Sequence, residues 1–588
     1  MKDHKIPFWS FHFGGGYPFI KHPDNISLSP LFYLLILPFG SGVGLKLLLF
    51  LSYAVGAAGF YLFVNRILRY NLITSGITTM IFIFNSFIPF QLNTGNIKNQ
   101  GWLYLPLITY ILFLSKKKQK CIFYCACLMV FVLLNGLSLY FAVMLLFLFI
   151  LIVLDGFSRP GNRLFNEKSL LINFFFILLI TLFLGAIKIF PIVDLLKLDM
   201  RGFDQYFYAA ANSMTFEKMI LAFFSRGPYA VGNETVMGSN GLGMGSVMYF
   251  GSIMGGLFIL SCVFCFKKIW KYLLVILIFI CLSMAKNSPW DIFYILWHLP
   301  FFHSMHQPAR YFSFPVIFMV PIIIGALFSS KVFVNFSKGL KFVVYLIAII
   351  GIIDMFDANT KYYKFCGLYQ ESIPKMEGEN KFFNVQKSRQ SMEDIPFCDV
   401  NKQWVGKYID ELEGGIQYYL IRQNIGLIDW SGKINLRHAA VPKYKVLIGC
   451  GDYWKDFKKD LSRNNGIIKN EDYRGECFFV GDSENKVNNI EWKTNKIIID
   501  VEQKSSGKLI VNQNYDKEWK SNIGKIYNAN GRLGVILNKP ENKEIRLYYC
   551  PKSFYIGLII SIVSVILCLR IFLKKKIWPF RNRKLVGG

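Results

Sequence analysis

Apolar runs long enough, or nearly long enough, to cross a lipid bilayer recur along this chain, and short clusters of Lys and Arg separate them. They cover about 42–65, 71–90, 101–115, 120–135, 138–154, 170–191, 244–266, 270–285, 311–330, 340–356 and 552–573. A perpendicular helix needs roughly 20 apolar residues to span the hydrocarbon, so several runs are short and their limits are soft. Leu, Ile and Phe fill them in blocks rather than at a helical period. With 53% hydrophobic and 17% aromatic residues over 588 positions, the pattern predicts a polytopic α-helical membrane protein of about eleven transmembrane helices, not a large soluble enzyme. Residues 28–39 are a further short apolar piece ended by Pro38 and Gly40, better suited to an interfacial helix than to a span.

The basic clusters set the expected orientation. They are Arg66 with Arg69, Lys116–Lys118 with Lys120, Arg159 with Arg163 and Lys168, Lys267 and Lys268 with Lys271, Lys331 with Lys338 and Lys341, and a tail of Lys574–Lys576, Arg581, Arg583 and Lys584. With eleven spans, all six clusters fall on one side, which the positive-inside rule makes cytoplasmic. The formal net charge of +29 is thereby explained as topology, and nucleic acid is set aside as a partner. The expected division is an outer-face loop with a short interfacial helix (1–41), a multi-helix transmembrane domain (42–356), an extracytoplasmic region (357–551), a last span (552–573) and a basic cytoplasmic tail (574–588). Polar chemistry is expected on the outer side, in 1–41, 91–100, 192–243, 286–310 and 357–551.

Region 357–551 has ordinary soluble composition. Its last third alternates as strands do, in Lys496-Ile-Ile-Ile-Asp-Val, Lys508-Leu-Ile-Val-Asn, Gly534-Val-Ile-Leu-Asn and Lys543-Glu-Ile-Arg-Leu-Tyr-Tyr. Turn formers separate these pieces, which predicts an α/β to β-sandwich domain ending just before the last helix. The twelve cysteines show no metal-ligand spacing, and seven of them sit in or beside apolar runs as small packing residues.

One polar stretch stands out. Trp9–Pro30, WSFHFGGGYPFIKHPDNISLSP, is broken by Gly and Pro yet carries His12, Lys21, His22 and Asp24 among five aromatics. Such composition is poor in regular structure and rich in groups that meet a polar ligand. It reads as a lid or active-site loop at the outer surface, with an ordinary ordered loop as the alternative.

Gly14-Gly-Gly-Tyr-Pro-Phe with Pro23-Asp24 resembles the glycine-rich loop of the bacterial YfhO-like membrane proteins. Leu299-Pro-Phe-Phe followed by His306-Gln-Pro-Ala-Arg310-Tyr-Phe resembles their Arg-x-Pro-x-Arg-Phe motif. Asn514-Tyr-Asp-Lys-Glu-Trp519-Lys, Ala529-Asn-Gly531 and Tyr549-Cys-Pro551-Lys-Ser-Phe resemble their closing β-domain and final span. The matches follow the family's order over nearly the whole chain. The resemblance implies a GT-C type glycosyltransferase of the bacterial plasma membrane. Such an enzyme moves a sugar from a polyprenyl-phosphate donor to an envelope acceptor, a teichoic acid or polysaccharide, on the outer face. Two departures stand beside it: His306 occupies the place of the first Arg, and the family's first transmembrane helix, with the acidic start of its outer loop, has no counterpart before Asp3.

Transfer from a lipid phosphate needs a carboxylate to take the acceptor's proton and cationic or N–H donors for the departing phosphate. Asp24 is the expected base, because it shares the aromatic loop with Lys21 and His22, and Asp3 is second. Capping of the helix after Ser27 and Ser29 is the alternative role for Asp24. Arg310, at the mouth of the 311–330 run, is the expected phosphate ligand, since a guanidinium can fork two phosphate oxygens. His303, His306, Lys21, His22 and Lys188 are expected to assist it, with snorkelling to lipid headgroups the alternative for Arg310 and Lys188. The spacing His303-x-x-His306 matches no trusted metal motif, so neither a metal nor another cofactor is expected. A transporter or flippase of lipid-linked glycan and a non-catalytic envelope scaffold are the rival readings.

Overall fold

In a computed structural model of the protein, the residues described are 5–93, 97–136, 138–157, 170–197, 206–211, 213–226, 248–299, 302–303, 305, 307–311, 313–365, 382–389, 425–427, 439–448, 467–481, 484–538 and 543–577. The chain divides into two compact units. One comprises Met1–Ser27, Phe190–Gly202 and Tyr369–Ile556, the other Leu28–Ile189, Phe203–Leu368 and Gly557–Gly588.

The second unit is helical. Among the described residues, seven helices are long and apolar enough to cross a membrane, and an eighth is added if the pair Leu170–Leu184 and Ala186–Leu196, bent by 82°, counts as one. Eleven runs were expected, and the difference has identifiable sources. Leu105–Leu114 and Lys120–Leu134 are only 10 and 15 residues long, while runs 244–266 and 270–285 join into one helix, Gly251–Met284, of 34 residues.

That long helix folds back on itself. Drawn straight it would measure about 50 Å. Yet Phe250 donates its N–H to Phe223 O at 3.0 Å and Ser283 O accepts from Met214 N at 2.9 Å. Residues 214–223 include most of the short helix Phe216–Phe224 and reach only about 18 Å. Lys271 pairs with Asp155 at 2.9 Å, and Phe279 lies against Phe147 with ring centroids 5.9 Å apart, so the second limb runs antiparallel to Ser138–Phe157. Lys267, Lys268 and Lys271 therefore fall at a turn.

Ser313–Phe328 runs through the middle of this unit, with Val316, Phe318, Ile322, Ile323 and Ile324 buried. A helix apolar all round belongs in a core or a bilayer, and here protein surrounds it. Close packing at its Gly325 is obligatory, because a Cβ there would fall 2.5 Å from the Tyr70 ring and 2.7 Å from Thr78. Tyr70 also donates its hydroxyl to Ile322 O at 2.8 Å.

The first unit is β-rich. β1 (Phe383–Arg389), β2 (Ile425–Leu427), β3 (Tyr444–Ile448) and β4 (Ile467–Lys469) form one sheet in the order β2-β1-β3-β4, with β1 parallel to β2 and β3. The later strands form two antiparallel sheets. β10 (Lys525–Ala529), β11 (Arg532–Leu537), β8 (Gly507–Asn514) and β5 (Cys477–Phe479) make one, and β6 (Lys486–Lys493), β7 (Lys496–Glu502), β12 (Lys543–Tyr549) and β9 (Trp519–Ser521) the other. Alternation puts Ile497, Ile499 and Val501 of β7 on one face, and they share one core with Leu509 and Val511 of β8, Leu533, Val535 and Leu537 of β11, and Ile545 and Leu547 of β12. Trp9 and Phe11 belong to that same core.

Candidate functional site

The glycine-rich loop is built into the β-rich unit. Gly14, Gly15 and Gly16 have φ of 59°, 71° and 97°, the left-handed region that side chains disfavour. A Cβ on Gly16 would collide with Gln513 Oε1 and the Trp9 indole, and one on Gly15 with Ala440. The turn lies against the end of β8. Asn514 donates its Nδ2 to Gly14 O at 2.7 Å and Gly16 O at 2.8 Å, and its backbone N–H to Gly15 O at 2.7 Å. Before the turn, Asn495 in the β6–β7 hairpin accepts from Trp9 N at 3.2 Å and donates to Ile6 O at 2.7 Å. Trp9 packs against Trp519 and Tyr549 with centroids 5.2 and 4.9 Å apart, and Phe11 against Trp492 at 5.0 Å.

After the turn, a short 3-10 turn at Phe19–Lys21 brings Lys21 into the interior, where it is 1% exposed. Its ammonium pairs with Glu518 Oε2 at 2.6 Å and Asp194 Oδ2 at 2.7 Å, with Asp516 Oδ2 at 3.9 Å. Burial alone would lower the pKa of this lysine, but Asp516, Asp194 and Glu518 outweigh it and hold it above the ordinary value. Glu518 is held in turn by the Lys552 N–H at 2.8 Å and the Tyr549 hydroxyl at 3.3 Å. Burial, then the charges of Asp516 and Glu518, push the Tyr549 phenol well up, so it stays a donor. Burial raises Asp516 as well, more than Lys21 at the longest of the three distances lowers it. Ser553 donates to Asp194 Oδ2 at 3.3 Å. Lys21, expected as a phosphate ligand, thus directs its ammonium at protein carboxylates, and an incoming phosphate would have to displace one of them.

His22 and Asp24 follow directly. His22 is 9% exposed, and its Nδ1 accepts from the Asp24 N–H at 3.1 Å, which leaves Nε2 as the protonated nitrogen when the ring is neutral. Asp24 is half-buried, and after burial its charge is the second influence that raises the Tyr17 phenol. Asp3 and His306 lie outside the described residues. Lys21, His22 and Asp24 belong to the β-rich unit, whereas Arg310, His303 and Lys188 belong to the helical one.

In the helical unit, half-buried Arg310 sits in the 3-10 turn Pro308–Tyr311, with its N–H on Gln307 O at 3.1 Å. His303 is exposed and lies over Trp297, ring centroids 4.4 Å apart. Lys188 is fully buried just past the Gly185 break. Among the described residues, no group of three or more His, Cys, Asp or Glu could hold a metal ion.

Asp516, Glu518 and Tyr549 were absent from the residues that the sequence singled out, although all three lie in the stretches that carry the family resemblance. Asp194, just past an apolar run, is likewise a partner of Lys21. No family model matches the sequence, and no curated protein matches it.

Proposed function

We propose that this chain is a YfhO-like membrane glycosyltransferase of GT-C type, inverting, with its helices crossing the bacterial plasma membrane and its β-rich unit, sandwich-like in its later strands, outside. It transfers a sugar from a polyprenyl-phosphate carrier to an envelope glycopolymer. One observation supports this reading above the others. Three stretches that resemble the family, the Gly14–Phe19 loop, Asn514–Trp519 and Tyr549–Phe554, close on one another around Lys21, although some 500 residues separate the first from the others. An arrangement that fixes the loop this firmly also fixes Asp24, three residues beyond Lys21, as a general base requires. Within the β-rich unit Asp24 is the proposed general base, and the proposed phosphate-binding residues Arg310, His303, His306 and Lys188 are carried by the helical unit's stretches.

The test is sugar transfer in membranes from cells that express the chain, with radiolabelled polyprenyl-phosphate sugars. Asp24→Asn is expected to lower transfer about 10²- to 10⁴-fold, and Arg310→Ala at least about 10-fold, at unchanged protein levels. Full transfer by Asp24→Asn would move the base elsewhere. No transfer by the parent chain with any donor would leave the scaffold reading, which the engagement of Lys21 by three carboxylates favours.

A further inference from the structure

The helical unit gathers positive charge at one place. Lys116, just past the Leu105–Leu114 helix, donates to Asp155 Oδ2 at 3.3 Å, and Lys271, at the turn of the long helix, donates to Asp155 Oδ1 at 2.9 Å. Asp155 lies near the end of Ser138–Phe157 and is 8% exposed. Lys116 stands 5.5 Å from the Phe113 ring, Lys271 5.2 Å from Tyr272 and Lys268 5.7 Å from Tyr70. Two of the basic clusters, those at 116–120 and 267–271, are thereby drawn together, with Tyr70 beside Lys268. Lys117, Lys118, Lys267 and Lys268 are exposed beside them.

This arrangement suits an anion whose other end is apolar. Asp155 fixes two ammonium groups at the ends of apolar helices, and the exposed lysines add charge around them. Within about one turn of Lys267 and Lys268, Val263, Phe264 and Phe266 are 68%, 53% and 60% exposed. A free phosphate would leave those side chains bare, whereas acyl chains would cover them. We propose that this basic cluster binds the headgroup of an anionic phospholipid, with the phosphodiester among Lys116, Lys267, Lys268 and Lys271 and the acyl chains along Val263, Phe264 and Phe266. The site is independent of the transferase reading and requires only that these helices lie in a bilayer.

The full chain, purified into phosphatidylcholine nanodiscs, is titrated with phosphatidylglycerol, with more phosphatidylcholine or with inorganic phosphate, and thermal unfolding is followed. Phosphatidylglycerol is expected to raise the midpoint saturably, and the other two to leave it in place. Lys267→Gln with Lys268→Gln is expected to weaken the apparent affinity about 30-fold, about 5-fold for each charge removed near the surface. The variant's midpoint in pure phosphatidylcholine should match the parent's, because both side chains are exposed. Equal shifts with both lipids, unchanged affinity in the double variant, or an equal shift with inorganic phosphate would each overturn the proposal.

Discussion

In the helical unit each element is made by its own backbone, and packing then brings finished helices together. In the β-rich unit, by contrast, the core is incomplete without residues from the other end of the chain. Asn514 bonds to Gly14 and Gly16 at sequence separations of 500 and 498. Lys21 reaches Asp194, Asp516 and Glu518, which lie on two further segments. Both units contain a Lys–carboxylate cluster, but with opposite stoichiometry and exposure. Lys21 is 1% exposed among three carboxylates, whereas Asp155 holds Lys116 and Lys271, whose side chains are 26% and 16% exposed. The difference teaches that the same chemistry ties the first unit together and only trims the surface of the second.

The largest expected effect tests that contrast directly. Lys21→Met would strand buried carboxylates, so the β-rich unit is expected to lose about 3–5 kcal/mol. Lys116→Gln should cost under about 1 kcal/mol, because its charge is partly solvated. Thermal unfolding, with limited proteolysis to report each unit, would separate the two. Similar losses from both substitutions would break the comparison.

A smaller effect contrasts two glycines. Gly16→Ala combines a φ of 97° with a collision against Gln513 and Trp9 and is expected to cost about 2–3 kcal/mol. Gly76 lies inside the Leu72–Ile83 helix, with nothing within 4 Å of an added Cβ. Gly76→Ala should leave stability level or raise it by up to about 1 kcal/mol. A stable Gly16→Ala chain, seen as an unchanged unfolding midpoint, would mean that the loop docks less tightly than its hydrogen bonds indicate.

The smallest effect is on pH dependence. The pKa of Lys21 is raised on folding above the ordinary 10.5. The folded state therefore holds the proton longer than the unfolded state, and the stabilisation is complete below 10.5. As pH rises from there through the folded pKa, stability falls. Denaturant unfolding at stepped alkaline pH should show this limb in the parent chain and a flatter one in Lys21→Met. Identical limbs would remove Lys21 as its source.

Much of the secondary structure was legible, and for local reasons. The strands β7, β8, β11 and β12 fall where alternation placed them, since a two-residue period needs only the residues themselves. Runs that made helices were equally plain, but their number was not. Whether 244–266 and 270–285 are two helices or one folded-back helix depends on the backbone at Lys267–Lys271, which hydropathy does not resolve. Composition marked Trp9–Pro30 as unusual but was silent on Trp9 and Phe11 joining the β core.

By itself the sequence determined where apolar helices and alternating strands form, because hydrogen bonding and side-chain periodicity act over a few residues. It also marked the polar loop, through Gly, Pro, His, Lys and Asp in one short stretch. Only the tertiary structure decided that Lys21 faces Glu518 and Asp194, that the three glycines lie against Asn514, and that Asp155 joins Lys116 to Lys271. Those pairings join segments that no local period connects, and burial of the remaining chain selects them.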